Sequence, residues 1–168
     1  VAMIGVQTRN VDSTSNIGDT PVHADYGLQG LILLAQFHGI AADYAQITHQ
    51  FGLNGELFDE QSLLLAAKEL HLKARIINQP LERLSLLSLP AMVLQADGRH
   101  LILAKVNDTQ VLVHDLENQR PLTLRHDEFA ALYSGRLFTV TSRANVLGQL
   151  AKFDFRWFIP AVIKYRKI

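Results

Sequence analysis

The apolar residues of this chain change their period at Leu72. Before it they recur at three- and four-residue intervals; after it they alternate with polar residues. Leu28, Leu31, Ile32 and Ala35 fall at i, i+3, i+4 and i+7, as do Leu63, Ala66, Ala67 and Leu70. Leu72, Ala74 and Ile76 instead alternate with Lys73 and Arg75, the pattern of a half-buried strand. Helices first and strands afterwards is the order of an α+β fold, with N-terminal helices packed on an antiparallel sheet. A parallel sheet would need the two to alternate.

The individual elements follow from the same patterns. Asp25 is a good N-cap for the first helix and Gly39 suits the position just past its end. Leu33 and Leu34 widen its apolar surface, so this helix should be buried on several sides. A second helix is expected over 43–51, broken by Gly52 and Asn54-Gly55, and Asp59 caps a third. Strands are expected over 72–76, 91–95, 100–106, 111–115, 121–124 and 137–141. A short helical turn within 81–89 is closed by Pro90, Asp97-Gly98 signals a hairpin turn, and a helix over 127–133 ends before Gly135.

Composition narrows the chemistry. With 168 residues the chain has room for one domain with a useful core. It contains no cysteine, which removes disulfides, thiolate metal sites and cysteine nucleophiles together. The formal charge of zero hides an asymmetry: Arg143, Lys152, Arg156, Lys164, Arg166 and Lys167 face Asp154 alone, a net +5, leaving −5 on residues 1–142. An acidic body of this kind argues against nucleic acid as a partner. Three segments are expected: a small, polar, flexible leader over 1–22, a globular domain over 23–142, and a linker over 143–168. In that linker Phe153, Phe155, Trp157, Phe158 and Tyr165 interleave with the basic residues. Such a segment suits a membrane interface through 150–168; the plainer alternative is a terminal helix packed on its own domain.

The candidate chemistry lies at the start of the first helix. A buried helix start gathers unpaired N–H donors and roughly half a positive charge, which favours an anion, a thiolate or a developing oxyanion. The residue placed there is Tyr26. Further along, a two-residue turn at Asn107-Asp108 would set His100 opposite Asp115, with Cβ atoms about 4.5–5.5 Å apart; an odd-length loop would destroy that register. A His–Asp pair orients an imidazole in acyl-transfer enzymes, though buried pairs of this kind are also merely structural. The seven histidines show no helical His-x-x-x-His spacing, so no metal site is expected.

These residues carry a resemblance. Asp-Tyr-Gly (25–27) and the helix running to Gln-Phe-His-Gly (36–39) resemble the opening of bacteriocin-processing, papain-like peptidase domains, which have Asp-Cys-Gly there. Leu-Pro-Ala-Met-Val (89–93), Asp-Gly-Arg-His (97–100), His-Asp-Leu-Glu (114–117), Glu-Phe-Ala-Ala-Leu-Tyr-Ser-Gly (128–135) and Leu-Ala-Lys-Phe-Asp-Phe-Arg-Trp-Phe-Ile-Pro-Ala (150–161) continue it. The resemblance covers roughly 23–168, and it is closest to the degenerate N-terminal domain of haemolysin-type transporters of type I secretion. It implies a papain-like fold, with Tyr26 in place of the nucleophilic cysteine, His100 as general base, Asp115 as its orienter, and Thr20 in place of an oxyanion-hole glutamine.

The resemblance also implies a role. A phenol, with an ordinary pKa of about 10, is a poor substitute for a thiol of about 8.5, so the chain is expected to lack peptidase activity. What remains is a cytoplasmic domain of a bacterial inner-membrane transporter that contacts an unfolded secretion substrate rich in Gly/Asp repeats. Tyr26, Arg99 and His100 are the expected peptide-binding residues. An adaptor protein and an outer-membrane pore are implied as further partners. No cofactor is expected in this domain, since no Gly-rich loop ending in Lys-Ser/Thr occurs, and ATP hydrolysis would belong to another part of the transporter. The alternatives are a structural or regulatory cap that never meets substrate, and residual chemistry at His100 and Asp115.

Overall fold

The computed structural model describes residues 24–51 and 56–142. The leader, Thr20, the expected break at 52–55 and the 143–168 linker lie outside them. The order of elements is α1 (Tyr26–Phe37), α2 (Tyr44–Phe51), α3 (Glu60–Glu69), β1 (Leu72–Asn78), a 3-10 turn (Leu81–Leu86), β2 (Ala91–Val93), β3 (Leu101–Val106), β4 (Gln110–Asp115), β5 (Arg120–Arg125), α4 (His126–Leu132) and β6 (Arg136–Ser142). Three helices precede one antiparallel sheet of order β1-β6-β2-β3-β4-β5, which is the expected α+β arrangement.

Capping side chains fix where the helices begin. Asp25 accepts from Leu28 N at 2.9 Å, Asp43 from Gln46 N at 2.8 Å and Asp59 from Ser62 N at 2.7 Å. Gly39, at φ +72°, takes the left-handed position that ends α1.

The sheet separates two apolar layers. On one face α1, α2 and α3 pack through Leu28, Leu31, Leu34, Ile47, Leu63 and Ala67 onto Met92, Ile102, Phe138 and Val140. On the other, Leu84 of the 3-10 turn and Phe129 of α4 cover Ala91, Val93, Leu101, Leu103, Val113 and Leu137. Strand alternation assigns the faces, since Ile102 and its neighbours Leu101 and Leu103 fall in different layers. Each fully buried leucine of α1 contributes about 2 kcal/mol of apolar burial, so most of this helix's stability is tertiary.

The β3–β4 connection corrects the expected register. Asn107 closes the turn by accepting from Thr109 N at 3.0 Å and Gln110 N at 2.6 Å, and its own N–H donates to Gln110 O at 3.0 Å, so the two-residue turn is Asp108-Thr109, one position on from the expected one. Val106 then faces Val111, and a bulge between Leu103 and Lys105 restores one residue of offset. The outcome is Leu101 opposite Asp115, one step from the expected His100–Asp115 pairing. A one-residue slip exchanges the faces of a strand. His100 and Asp115 therefore point to opposite sides of the sheet.

Helix α1 lies tight against the sheet at Gly30. A Cβ there would lie 2.3 Å from Met92 Sδ and 3.2 Å from Leu116 Cδ1, both on fully buried side chains. Gly30→Val is expected to lower unfolding free energy by about 3 kcal/mol, read by urea denaturation, despite removing a helical glycine. A neutral result would mean that the helix is not pressed on the sheet as described.

Candidate functional site

The site forms where the start of α1 meets the loop before β3. Asp25 is 5% exposed, and its two oxygens serve two segments: one accepts from Leu28 N and the other from Phe58 N at 2.6 Å. A single carboxylate thus caps α1 and ties the approach to α3 against it. Tyr26 follows, half-buried and packed against the helical layer. Gly27 comes next, and the His100 ring sits directly over it: a Cβ at Gly27 would lie 3.5 Å from His100 Cδ2 and 3.3 Å from Asp25 Oδ1. The structure therefore brings His100 to Gly27, the residue adjoining Tyr26, within reach of the Asp25 charge.

The hydrogen bonding of His100 limits its chemistry. Its Nδ1 accepts from Gln95 N at 3.0 Å. A neutral imidazole that accepts at Nδ1 carries its proton on Nε2, so neither nitrogen keeps a lone pair free to take a proton from a neighbour. Burial pushes the His100 pKa below the ordinary 6.5, while the charges of Asp25, Asp97 and Glu60 pull it back up.

Asp115 takes no part in this. One of its oxygens accepts from Glu117 N at 3.0 Å and Asn118 N at 3.3 Å, and the other from Asn118 Nδ2 at 2.6 Å, so it organises the β4–β5 turn. Burial opposes its charge, but these donors together with Arg120 hold its pKa below the usual carboxylate value. Arg99 is also drawn elsewhere: its Nε donates to Asp97 Oδ2 at 2.8 Å, and an Nη atom lies 4.0 Å from Glu117. The expected Tyr26–Arg99–His100 group is thus divided. Tyr26 and His100 lie at the α1 side of the sheet, and Arg99 turns to the loops at its end.

Two contributors escaped the sequence reading. Asp25 was legible as a cap, but its second bond, to Phe58, spans 33 positions and has no local signal. The Arg136–Glu60 pair, with Nη1–Oε1 at 2.5 Å and Nη2–Oε2 at 2.7 Å, joins the first residue of β6 to the first of α3. Both side chains are more than two-fifths exposed, so solvent screens this pair and it adds little to stability. Among the described residues no group of histidine and acidic side chains is arranged to hold a metal ion.

The histidines make stability depend on pH. Burial holds the imidazoles of His38, His100 and His114 below 6.5. Each then binds a proton more readily in the unfolded chain than in the folded one. Their contribution is complete above pH 6.5 and is lost as pH falls below it toward the folded-state values. Unfolding free energy measured with urea should accordingly be smaller at pH 5 than at pH 7. Asp25→Asn removes a charge that supports protonated His100, so the His100 midpoint, followed by NMR, should move further down. The same change leaves a backbone donor facing an amide and should cost about 2 kcal/mol. An unmoved or raised midpoint would refute the Asp25–His100 coupling.

Comparison with known proteins agrees with this architecture. The pattern of the peptidase C39 family matches residues 19–145. The chain is 49% identical over 146 residues to the toxin RTX-I translocation ATP-binding protein of Actinobacillus pleuropneumoniae, an alignment covering 86% of this chain and 21% of that protein. It is 52% identical, with the same coverage, to the leukotoxin translocation ATP-binding protein LktB of Mannheimia haemolytica. The chain thus spans about a fifth of the length of these relatives. Among solved structures it resembles the N-terminal peptidase C39 like domain of a toxin secretion ATP-binding protein from Vibrio parahaemolyticus, with a TM-score of 0.64, 25% identity, and coverage of 71% of this chain and 98% of that one. No helix of the described residues is long and apolar enough to cross a membrane. Helices on one antiparallel sheet, with a histidine over the start of the first helix, form the papain-like C39 fold, and the chain belongs to the peptidase C39 family.

Proposed function

We propose that this chain is a catalytically silent, peptidase-like domain of a toxin-exporting ABC transporter, and that it receives the unfolded secretion substrate on the cytoplasmic side of the bacterial inner membrane. The observation that carries the reading is the state of the site. Where a nucleophile would stand, at the start of α1, there is Tyr26, in a chain without cysteine, and the nearby His100 has its Nδ1 occupied by Gln95 N. Acyl transfer needs an activated nucleophile and a base with a free lone pair, and this arrangement supplies neither. Relatives named for toxin translocation support the transport setting. The adaptor protein, the outer-membrane pore and the membrane contact through 150–168 belong to the same proposal.

A domain that no longer cuts keeps a surface on which a polypeptide can rest. Its affinity is expected to be weak, because residues 1–142 carry a net −5 and substrates with Asp-rich repeats share that sign. The same charge favours the second reading, a structural cap that meets no substrate.

Incubation with a calcium-free, unfolded repeat polypeptide should leave it intact, and isothermal titration should return a dissociation constant in the micromolar range or weaker, about 8 kcal/mol or less. Tight binding that collapses with salt would refute the receptor reading, and no NMR shift on adding substrate would favour the cap. Tyr26→Cys alone is expected not to restore cleavage, as judged by mass spectrometry of the incubated polypeptide. Cleavage by that variant would show that His100 acts as a base in spite of its bond to Gln95.

A further inference from the structure

We propose that the outer edge of β1 takes up an extended acidic polypeptide segment as an added strand, with carboxylates at every second residue meeting Lys73 and Arg75. The proposal relies on the receptor reading only for the identity of the ligand; the surface itself is argued from the sheet.

Strand β1 ends the sheet order, and among the described residues its outer side pairs with no other strand. The direction of its backbone groups follows from its ladder with β6. Gln79 N donates to Gly135 O at 2.9 Å, continuing the register that pairs Asn78 with Arg136 and Ile77 with Leu137. Antiparallel pairs alternate between sharing and not sharing backbone bonds, so Ile77, Arg75 and Lys73 bond to β6. Thr139 Oγ1 donates to Arg75 O at 3.3 Å, on the side of β1 that this assignment requires. Ala74, Ile76 and Asn78 consequently aim their N–H and C=O groups outward. Leu72 is buried, so the accessible stretch runs over 74–78.

Side chains select the occupant. Lys73 and Arg75 are exposed, project from one face and form no ion pair among the described residues. Beside them on β6 stand Thr141 and Thr139, their register partners. A second copy of β1 would bring these cations against each other, which cross-strand pairing disfavours. Carboxylates at i and i+2 of an incoming strand would instead lie across from them, while the main-chain bonds supply most of the affinity. The opposite edge is poorly suited to the same use. Pro121 in β5 has no N–H to offer, and Arg125 is engaged by Asp127 and Glu128. A local cationic edge also shows how a net-acidic body can hold an acidic chain.

The test is an NMR titration of the isotopically labelled 168-residue chain with a blocked peptide of about twelve residues alternating Asp with Thr, and with its Lys–Thr counterpart. Shifts and slowed exchange are expected at the amides of Ala74, Ile76 and Asn78 with the acidic peptide and not with the basic one. The exposed double change Lys73→Glu/Arg75→Glu should weaken binding about fivefold or more. Shifts confined to Tyr26, Gly27 and His100, or unchanged affinity in the double variant, would overturn the edge proposal and leave the receptor reading in place. If whole unfolded substrate binds and the acidic peptide does not, the edge proposal alone fails. If neither binds, both fail.

Discussion

The buried carboxylate of Asp25 is the constraint on which the rest of the site depends. It sits at 5% exposure with both oxygens hydrogen-bonded to backbone donors, one at the start of α1 and one at Phe58. A buried charge is tolerated when donors surround it, and here the donors belong to two segments that must be brought together to supply them. The orientation of α1, the entry into α3 and the ground beneath His100 are therefore set by one side chain. Gly27 completes the arrangement, since a Cβ there would crowd Leu63 Cδ1 at 3.2 Å and Asp25 Oδ1 at 3.3 Å.

Much of this was legible in the sequence because local rules and tertiary packing agree. The change of period at Leu72 separates helices from sheet where the structure separates them, and the aspartates at 25, 43 and 59 each accept from the first turn of the following helix. The apolar set on α1 predicted burial on several sides, and Leu28, Leu31 and Leu34 are fully buried. Sheet order was not legible. β6, the last strand of the described residues, lies between β1 and β2, and no local pattern announces a pairing that bridges 58 to 70 residues. The bond from Gln95 N to His100 Nδ1 was equally invisible, since any residue at 95 except proline carries that N–H.

The misplacement of Asp115 shows how much rests on a turn. Asn107-Asp108 can close a two-residue hairpin, but an asparagine can also accept from the N–H groups two and three residues on, and Asn107 does so. That choice moves the turn one position on, to Asp108-Thr109, and shifts the pairing by two residues; the bulge near Ala104 takes back one, and the remaining offset sets Leu101, not His100, opposite Asp115. A resemblance aligned by residue type transfers the pair; the strand register decides whether the two side chains meet.

Loss of a nucleophile and loss of a competent base are separate events, and the proposed silence of this site rests on both. A tyrosine in place of a nucleophilic cysteine would remove the attacking atom and by itself leave the imidazole unaffected. Here the ring is instead satisfied by the backbone at Nδ1 and flanked by carboxylates that belong to caps and loops: Asp25 at the start of α1, Glu60 with Arg136, and Asp97 with Arg99. Each of these carboxylates is held by donors elsewhere, and they act on His100 through their charge. A histidine held this way serves packing and hydrogen bonding at the mouth of α1. On the proposed reading, chemistry would require both a new nucleophile and the release of the imidazole from Gln95, so that a single substitution should not supply it.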